Sequence, residues 1–222
     1  MGMASQIMLR IRAAAAEYYA GTREDVQAVM NNRGDQCIAQ SLPMLTELVR
    51  LGDSWHVLSA AAAALTAVPS TTAGLSLWNG EPDNGKCYAI DSFGAVEVVT
   101  DATQQNSLAL FAMMSVGKLA TPTDSALTRA SLSGRAANGS SARTVAGATT
   151  LAADVWSPHG PAGPGATAFA GAVWRATEAN VQGLYFVRPG GQFNVAAAKS
   201  VATAAQLRYF IRWHEVQMEW KS

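Results

Sequence analysis

Two cysteines, Cys37 and Cys87, are all that this 222-residue chain contains. That excludes a fold held by a disulfide framework. Cysteines so far apart are more often independent buried thiols than a bridge, which points to a reducing compartment and leaves their pairing open. Charge is scarce too: charged residues make up 14% of the chain, against roughly 25% in an average soluble domain. Sixteen basic residues balance sixteen acidic ones. A chain with no net charge has no global field to draw in a phosphate backbone or an anionic membrane, so nucleic acid and membrane are not expected partners.

Long hydrophobic runs are also missing. None reaches the roughly 20 residues of a membrane helix, and the longest is the small-residue tract at 59–68. At the N-terminus Arg10 and Arg12 follow apolar residues rather than precede them, the wrong order for a secretory leader. Glu17, Glu24 and Asp25 are unlike a mitochondrial presequence, and Gln6 stands where myristoylation requires Ser or Thr. The expectation is a soluble protein made in the cytoplasm.

What is present is apolar and small. Hydrophobic residues make up 49% of the chain, much of that share alanine. With few charges and no net charge, nothing on the surface repels a second copy, so self-association is expected.

Along the chain, Thr22 to Asp25 has the form of a helix start and leads into a short helix that ends at Asn31-Asn32. Leu45, Leu48, Val49 and Leu51 suit a helical turn or two, closed by Gly52-Asp53. From Trp55 onward short alternating segments dominate, and the alanine-rich stretch at 55–69 is read as a strand because of Thr66, Val68 and the Pro69 punctuation. Residues 75–91 alternate up to Trp78, meet Asn79-Gly80 and Asn84-Gly85, and resume at Lys86. This predicts a hairpin whose Asn-Gly turns supply positive φ. Further strands are expected at 94–100, on Val96 and Val98, and at 107–116, 144–156, 167–175 and 183–187. In the last stretch Leu207, Tyr209, Ile211 and Trp213 share one face, against Arg208, Arg212 and His214 on the other, with Phe210 as the exception. Residues 119–142, rich in Ser, Thr, Gly and Ala, read as a long exposed excursion. Short strands separated by Gly, Pro and Asn turns predict a mainly β fold, a jelly-roll-like antiparallel β-sandwich over residues 55–222, preceded by an N-terminal arm with short helical segments over 1–54.

Catalytic constellations are hard to assemble from these residues. His56, His159 and His214 show no metal-ligand spacing, and Met113-Met114 reads as core filler rather than a soft-metal site. Asp91, Asp101, Asp124 and Asp154 are scattered, and no nucleophile elbow accompanies the many serines. Glu81 and Asp83 solvate a turn more readily than they form a glycosidase pair. Gly190-Gly191 opens no helix, so it is not a phosphate loop. Arg33-Gly34-Asp35 and the sequon Asn138-Gly139-Ser140 have no secretory context and read as turns. Of the tryptophans Trp55, Trp78, Trp156, Trp174, Trp213 and Trp220, most fall inside predicted strands and suit core packing; an exposed set would stack on sugars. No catalytic, cofactor-binding or metal residue is assigned, and no enzyme is expected.

The run from Leu48-Val49-Arg50-Leu51-Gly52 to Ser54, the segment Val68-Pro69-Ser70-Thr71-Thr72-Ala73, the Leu77-Trp78-Asn79-Gly80-Glu81 turn with Gly85-Lys86-Cys87-Tyr88-Ala89-Ile90-Asp91, and Ala109-Leu110-Phe111-Ala112-Met113 together resemble accessory virion proteins of tailed bacteriophages. The resemblance covers most of residues 48–116 and rests on pattern rather than on one diagnostic motif. It implies a β-sandwich that decorates or cements a capsid, often as a homotrimer, in contact with the major capsid protein or other virion proteins, with its N-terminal arm docking. It implies residence in the virion after assembly in the host cytoplasm. The alternative is a carbohydrate- or receptor-binding β-sandwich module of a head or tail fibre, using tryptophans and the 119–142 excursion.

Overall fold

The computed structural model describes residues 48–49, 51–99, 108–115, 120–122, 127–134, 141–146, 156–159, 175–199 and 205–217. Most of the expected 1–54 arm, including the helix at 22–32, lies outside the described residues. The helical residues Leu48, Val49 and Leu51 give way where expected: Gly52 takes φ 88°. Its N–H donates to the Val49 carbonyl and that of Asp53 to the Leu48 carbonyl, both at 3.0 Å, the left-handed exit that glycine makes inexpensive.

Among the described residues twelve strands follow: β1 Ser54–Leu58, β2 Ala62–Ala63, β3 Leu75–Asn79, β4 Lys86–Val99, β5 Leu108–Met114, β6 Ala130–Ser131, β7 Ala142–Ala146, β8 Ser157–His159, β9 Arg175–Asn180, β10 Phe186–Val187, β11 Gln192–Lys199 and β12 Gln206–Gln217. They form two sheets. The first runs β10-β4-β12-β1-β6, with β9 also on β4 and β2 also on β12; the second runs β7-β3-β11-β5-β8. All strand pairs are antiparallel.

The topology is that of a jelly roll. Setting aside β2, β6, β7 and β10, the remaining strands pair from the outside of the chain inward: β1 with β12, β3 with β11, β4 with β9, and β5 with β8. This is one long hairpin rolled up, so that β12 also meets β4 and β11 also meets β5. The inner faces meet in a core of Trp55, Val57, Tyr88, Ile90, Phe93, Leu207, Tyr209, Ile211 and Trp213 from the first sheet, and Leu75, Leu77, Leu108, Leu110, Phe193 and Val195 from the second. The period-2 reading of the last stretch holds, with Leu207, Tyr209, Ile211 and Trp213 all buried.

Several expectations need correction. The 75–91 segment is not a hairpin: β3 belongs to the second sheet and β4 to the first, so residues 80–85 are a crossover between sheets. Neither Gly80 nor Gly85 has positive φ. They are small for another reason, since a Cβ on Gly80 would run into the Ser141 carbonyl and one on Gly85 into Glu81. The strands expected up to 91 and from 94 are one 14-residue strand. A bulge interrupts it, because Arg212 faces Ser92 and Trp213 faces Ile90, leaving Asp91 as the extra residue. That extra residue exchanges the two faces: Tyr88 and Ile90 point inward before it, Phe93 and Ala95 after it. Beyond the bulge Glu97 is therefore buried, while Val96 and Val98, expected to face the core, are not.

The alanine-rich tract keeps only β1 and the two-residue β2 as strand, and residues such as Thr66 and Val68 are exposed. Within the 119–142 excursion, Pro122 and Ser131 are buried and β6 joins the first sheet beside β1. The 144–156 strand reduces to β7 among the described residues, the 183–187 strand to β10, and most of 167–175 lies outside them. The central strand β11 has no counterpart in the sequence reading. Both its faces are buried, and Ala196 and Ala198 join Ala73, Phe111, Met113 and Trp156 in a second apolar cluster on the outer side of its sheet. A strand buried on both sides loses the alternation that identifies strands.

Candidate functional site

The outward face of the first sheet carries rows of partly covered residues bordered by exposed apolar side chains. In one row across the strands, Ser54 lies opposite His214, His214 opposite Ala89, and Ala89 opposite Phe186. Leu132 adjoins the row through its N–H to the Ser54 carbonyl, 2.9 Å. Four residues further along, Leu58 faces Phe210, Phe210 faces Gly94, and Gly94 faces Glu178. Gly94 is glycine because a Cβ there would strike the Thr177 carbonyl and the Phe210 ring. The Arg212 guanidinium sits 5.2 Å from the centre of the Phe210 ring, bonds Glu178 Oε1 at 2.7 Å and reaches Ser92 Oγ at 3.3 Å. This partner set accounts for Phe210, the exception to the alternation: it lies flat on an outer face over a glycine, under a cation.

Large apolar side chains border this face. Leu58 is 48% exposed, Leu132 39% and Phe186 39%, and Leu184, two residues before Phe186, is 71% exposed. Water gains nothing from solvating them, and removing each from water contributes about 25 cal/mol per Å² of apolar surface.

Several polar groups inside the molecule have structural partners. Ser54 Oγ and His214 Nδ1 are 2.6 Å apart, and the charge of Asp91 also acts on His214, opposing the burial that lowers its pKa from the usual value of 6.5. A serine, a histidine and an aspartate thus approach one another, a grouping the scattered aspartates did not lead one to expect. It differs from a nucleophile relay: the serine takes Nδ1, His214 Nε2 is buried without a hydrogen-bond partner, and Ser54 has no exposed surface. The bond ties β1 to β12. His159 Nε2 meets the Tyr185 hydroxyl at 2.6 Å. His56 lies opposite Arg212 on the outward face. Among the described residues, no group of three or more His, Cys, Asp or Glu side chains could hold a metal.

At the crossover, Asn79 is fully buried and donates from Nδ2 to the carbonyls of Lys86 and Val187, at 2.9 and 2.8 Å, while its Oδ1 accepts from the Glu81 N–H. Gly190 and Gly191 serve the same corner by exchanging backbone bonds with Asn79. Lys86 Nζ pairs with Asp53 at 2.7 Å and approaches Glu215 at 3.6 Å. Asp83 is exposed on the crossover and Glu81 partly so. Trp55, Trp156 and Trp213 are buried, and Trp156 Nε1 donates to the Ser70 carbonyl at 3.0 Å. Met113 is buried in the second cluster and Met114 packs on the first. Cys87 is a buried thiol. Cys37, Asp101, Asp124, Asp154, Trp174, Trp220, Arg33-Gly34-Asp35 and Asn138-Gly139-Ser140 lie outside the described residues.

Sequence reasoning missed the pair formed by Glu97 and Lys199, buried between the sheets. Glu97 stands between Val96 and Val98, and Lys199 follows Ala196, Ala197 and Ala198, which is the one signal the pair leaves. Compared with protein-family models, with curated proteins and with solved structures, the chain matches none.

Proposed function

We propose that this protein is a structural subunit of a tailed-bacteriophage particle, a jelly roll that decorates or cements the capsid through contacts with copies of itself, as a homotrimer, and with other virion proteins. The observation that carries this reading is the set of exposed apolar side chains on and around the outward face of one sheet, Leu58, Leu132, Leu184 and Phe186, on a chain with no net charge. Large apolar side chains left exposed around one face are found where another protein binds. The resemblance over residues 48–116 supplies the virion as the setting. The sugar-binding alternative draws less support, because Trp55, Trp156 and Trp213 are packed inside.

The test has two parts. Mass spectrometry of purified particles from the source phage is expected to find the protein in the virion. Light scattering at micromolar concentration is expected to give a trimer mass that falls toward the monomer in Leu58→Asp with Phe186→Asp. A strict wild-type monomer that is missing from particles would overturn the proposal.

A further inference from the structure

The second sheet ends at β8, three residues long and bonded to β5 alone among the described strands. Pro158 at its centre brings no N–H to the ladder. A short edge strand with few bonds belongs to the low-stability end of a fold. What closes it onto the other sheet is a side-chain contact. His159 Nε2 lies 2.6 Å from the hydroxyl of Tyr185, which belongs to the connection between β9 and β10 in the first sheet. The His159 ring also stands edge-on to Phe93, 5.1 Å between centres and 81° between planes. Tyr185 in turn packs on Phe193 at 5.2 Å. One hydrogen bond and its rings therefore cover the edge of the core where Phe93 of β4 meets Phe193 of β11.

We propose that the His159–Tyr185 contact is a pH-sensitive latch: mild acid opens it and frees β8 from the edge of the sandwich, while the rest of both sheets stays paired. Among the described residues, the groups facing His159 are Tyr185 from the β9–β10 connection, Phe93 from β4 and, opposite it in the ladder, Leu110 from β5. None of these described residues carries a carboxylate that would pair with an imidazolium. Burial accordingly lowers the His159 pKa from 6.5. The neutral ring is the form the fold holds, and its contribution is complete above pH 6.5 and lost as the pH falls through the folded-state value. His214 is a separate case, on the outward face of the other sheet with Ser54 as partner and Asp91 nearby. Opening at β8 uncovers Phe93 and Phe193, so the acid form presents an apolar edge that the neutral form hides.

Hydrogen exchange on the full chain at pH 7.5 and pH 5.0, corrected for intrinsic rates, tests this. Amides of β8 are expected to lose protection by about tenfold at pH 5.0, the change produced by roughly one pH unit of unmatched titration, while amides of β4 and β12 keep theirs. His159→Phe is expected to abolish the difference and His214→Asn to leave it. Equal β8 protection at both pH values, or an unchanged difference in His159→Phe, overturns the latch. Should His159→Phe fail to fold, an NMR titration of wild-type His159 decides: a pKa below 6.5 is expected, and one at or above 6.5 overturns the proposal.

Discussion

Lys199 of β11 reaches across the sandwich to Glu97 of β4, Nζ to Oε1 at 2.6 Å, with both side chains 2% exposed. Taking two charges out of water costs several kcal/mol per ion, and their attraction offsets this only when each is kept paired. Removing one partner is therefore worse than removing both. Glu97→Leu or Lys199→Met alone is expected to lower stability by about 3–5 kcal/mol, whereas the two together are expected to be neutral or stabilising. Urea denaturation of the four proteins closes the cycle. If the double variant is as unstable as the sum of the single ones, the pair is not the interaction described.

Asn79 is the second tie between the sheets, and its amide leaves two carbonyls unpaired when it is lost. Each unsatisfied buried acceptor costs about 1–3 kcal/mol. Asn79→Ala is expected to lower stability by about 2–4 kcal/mol, measured by chemical denaturation. Asp83→Ala, on the exposed part of the same crossover, is expected to cost under about 0.5 kcal/mol.

The third tie is Tyr209, whose ring lies against Gly74 so closely that a Cβ would overlap it. Gly74→Ala is expected to destabilise by about 1–3 kcal/mol through overpacking. In a Tyr209→Leu background, where the ring is gone, the same change is expected to cost less. Equal costs in both backgrounds would place the penalty in the backbone instead.

Stability as a function of pH should form a plateau with two shoulders. His159 and His214 have pKa values lowered from 6.5, both chiefly by burial. Their contribution is complete above pH 6.5 and declines as the pH falls below it. Tyr209 is pushed from 10.0 up to about 12 by burial, against a hydrogen bond from the Ala197 backbone. For Lys86 burial acts downward, but hydrogen bonds and charge from Asp53 and Glu215 outweigh it and the net direction is up from 10.5. Groups with raised values stabilise fully below their unfolded pKa and lose that contribution as the pH climbs through the folded one. Melting temperatures are expected to be flat between about pH 6.5 and 10 and to fall on both sides; Tyr209→Phe is expected to weaken the alkaline shoulder.

Fold class was legible because β12 obeys a simple rule, with Leu207, Tyr209, Ile211 and Trp213 inward and Arg208 and Arg212 outward. β11 was illegible for the converse reason. Gln192 and Asn194 stand on its second face, yet both are buried, Ser76 Oγ donating to Asn194 Oδ1 at 2.7 Å and Gln192 Nε2 to the same atom at 2.7 Å. Polar residues hidden by each other do not mark a solvent face. On the candidate surface, Phe210 was visible as an anomaly, but its neighbours Leu58, Gly94 and Glu178 come from three other strands and had no link to it in the chain.

By itself the sequence determined the material: β-rich, poor in charge, free of the spacings that metal or nucleophile chemistry shows locally, and alternating wherever one face meets a core. Those properties are local, set by each residue and its neighbours two places away. Only the tertiary structure decided that Asn79-Gly80 ends a strand of one sheet and begins a crossover to the other. The same is true of the bulge at Asp91, which turns Glu97 inward, and of the 102-residue separation that Lys199 closes to reach it. Pairing partners depend on which strand lies alongside, and in a jelly roll the strand alongside is supplied by the far end of the chain.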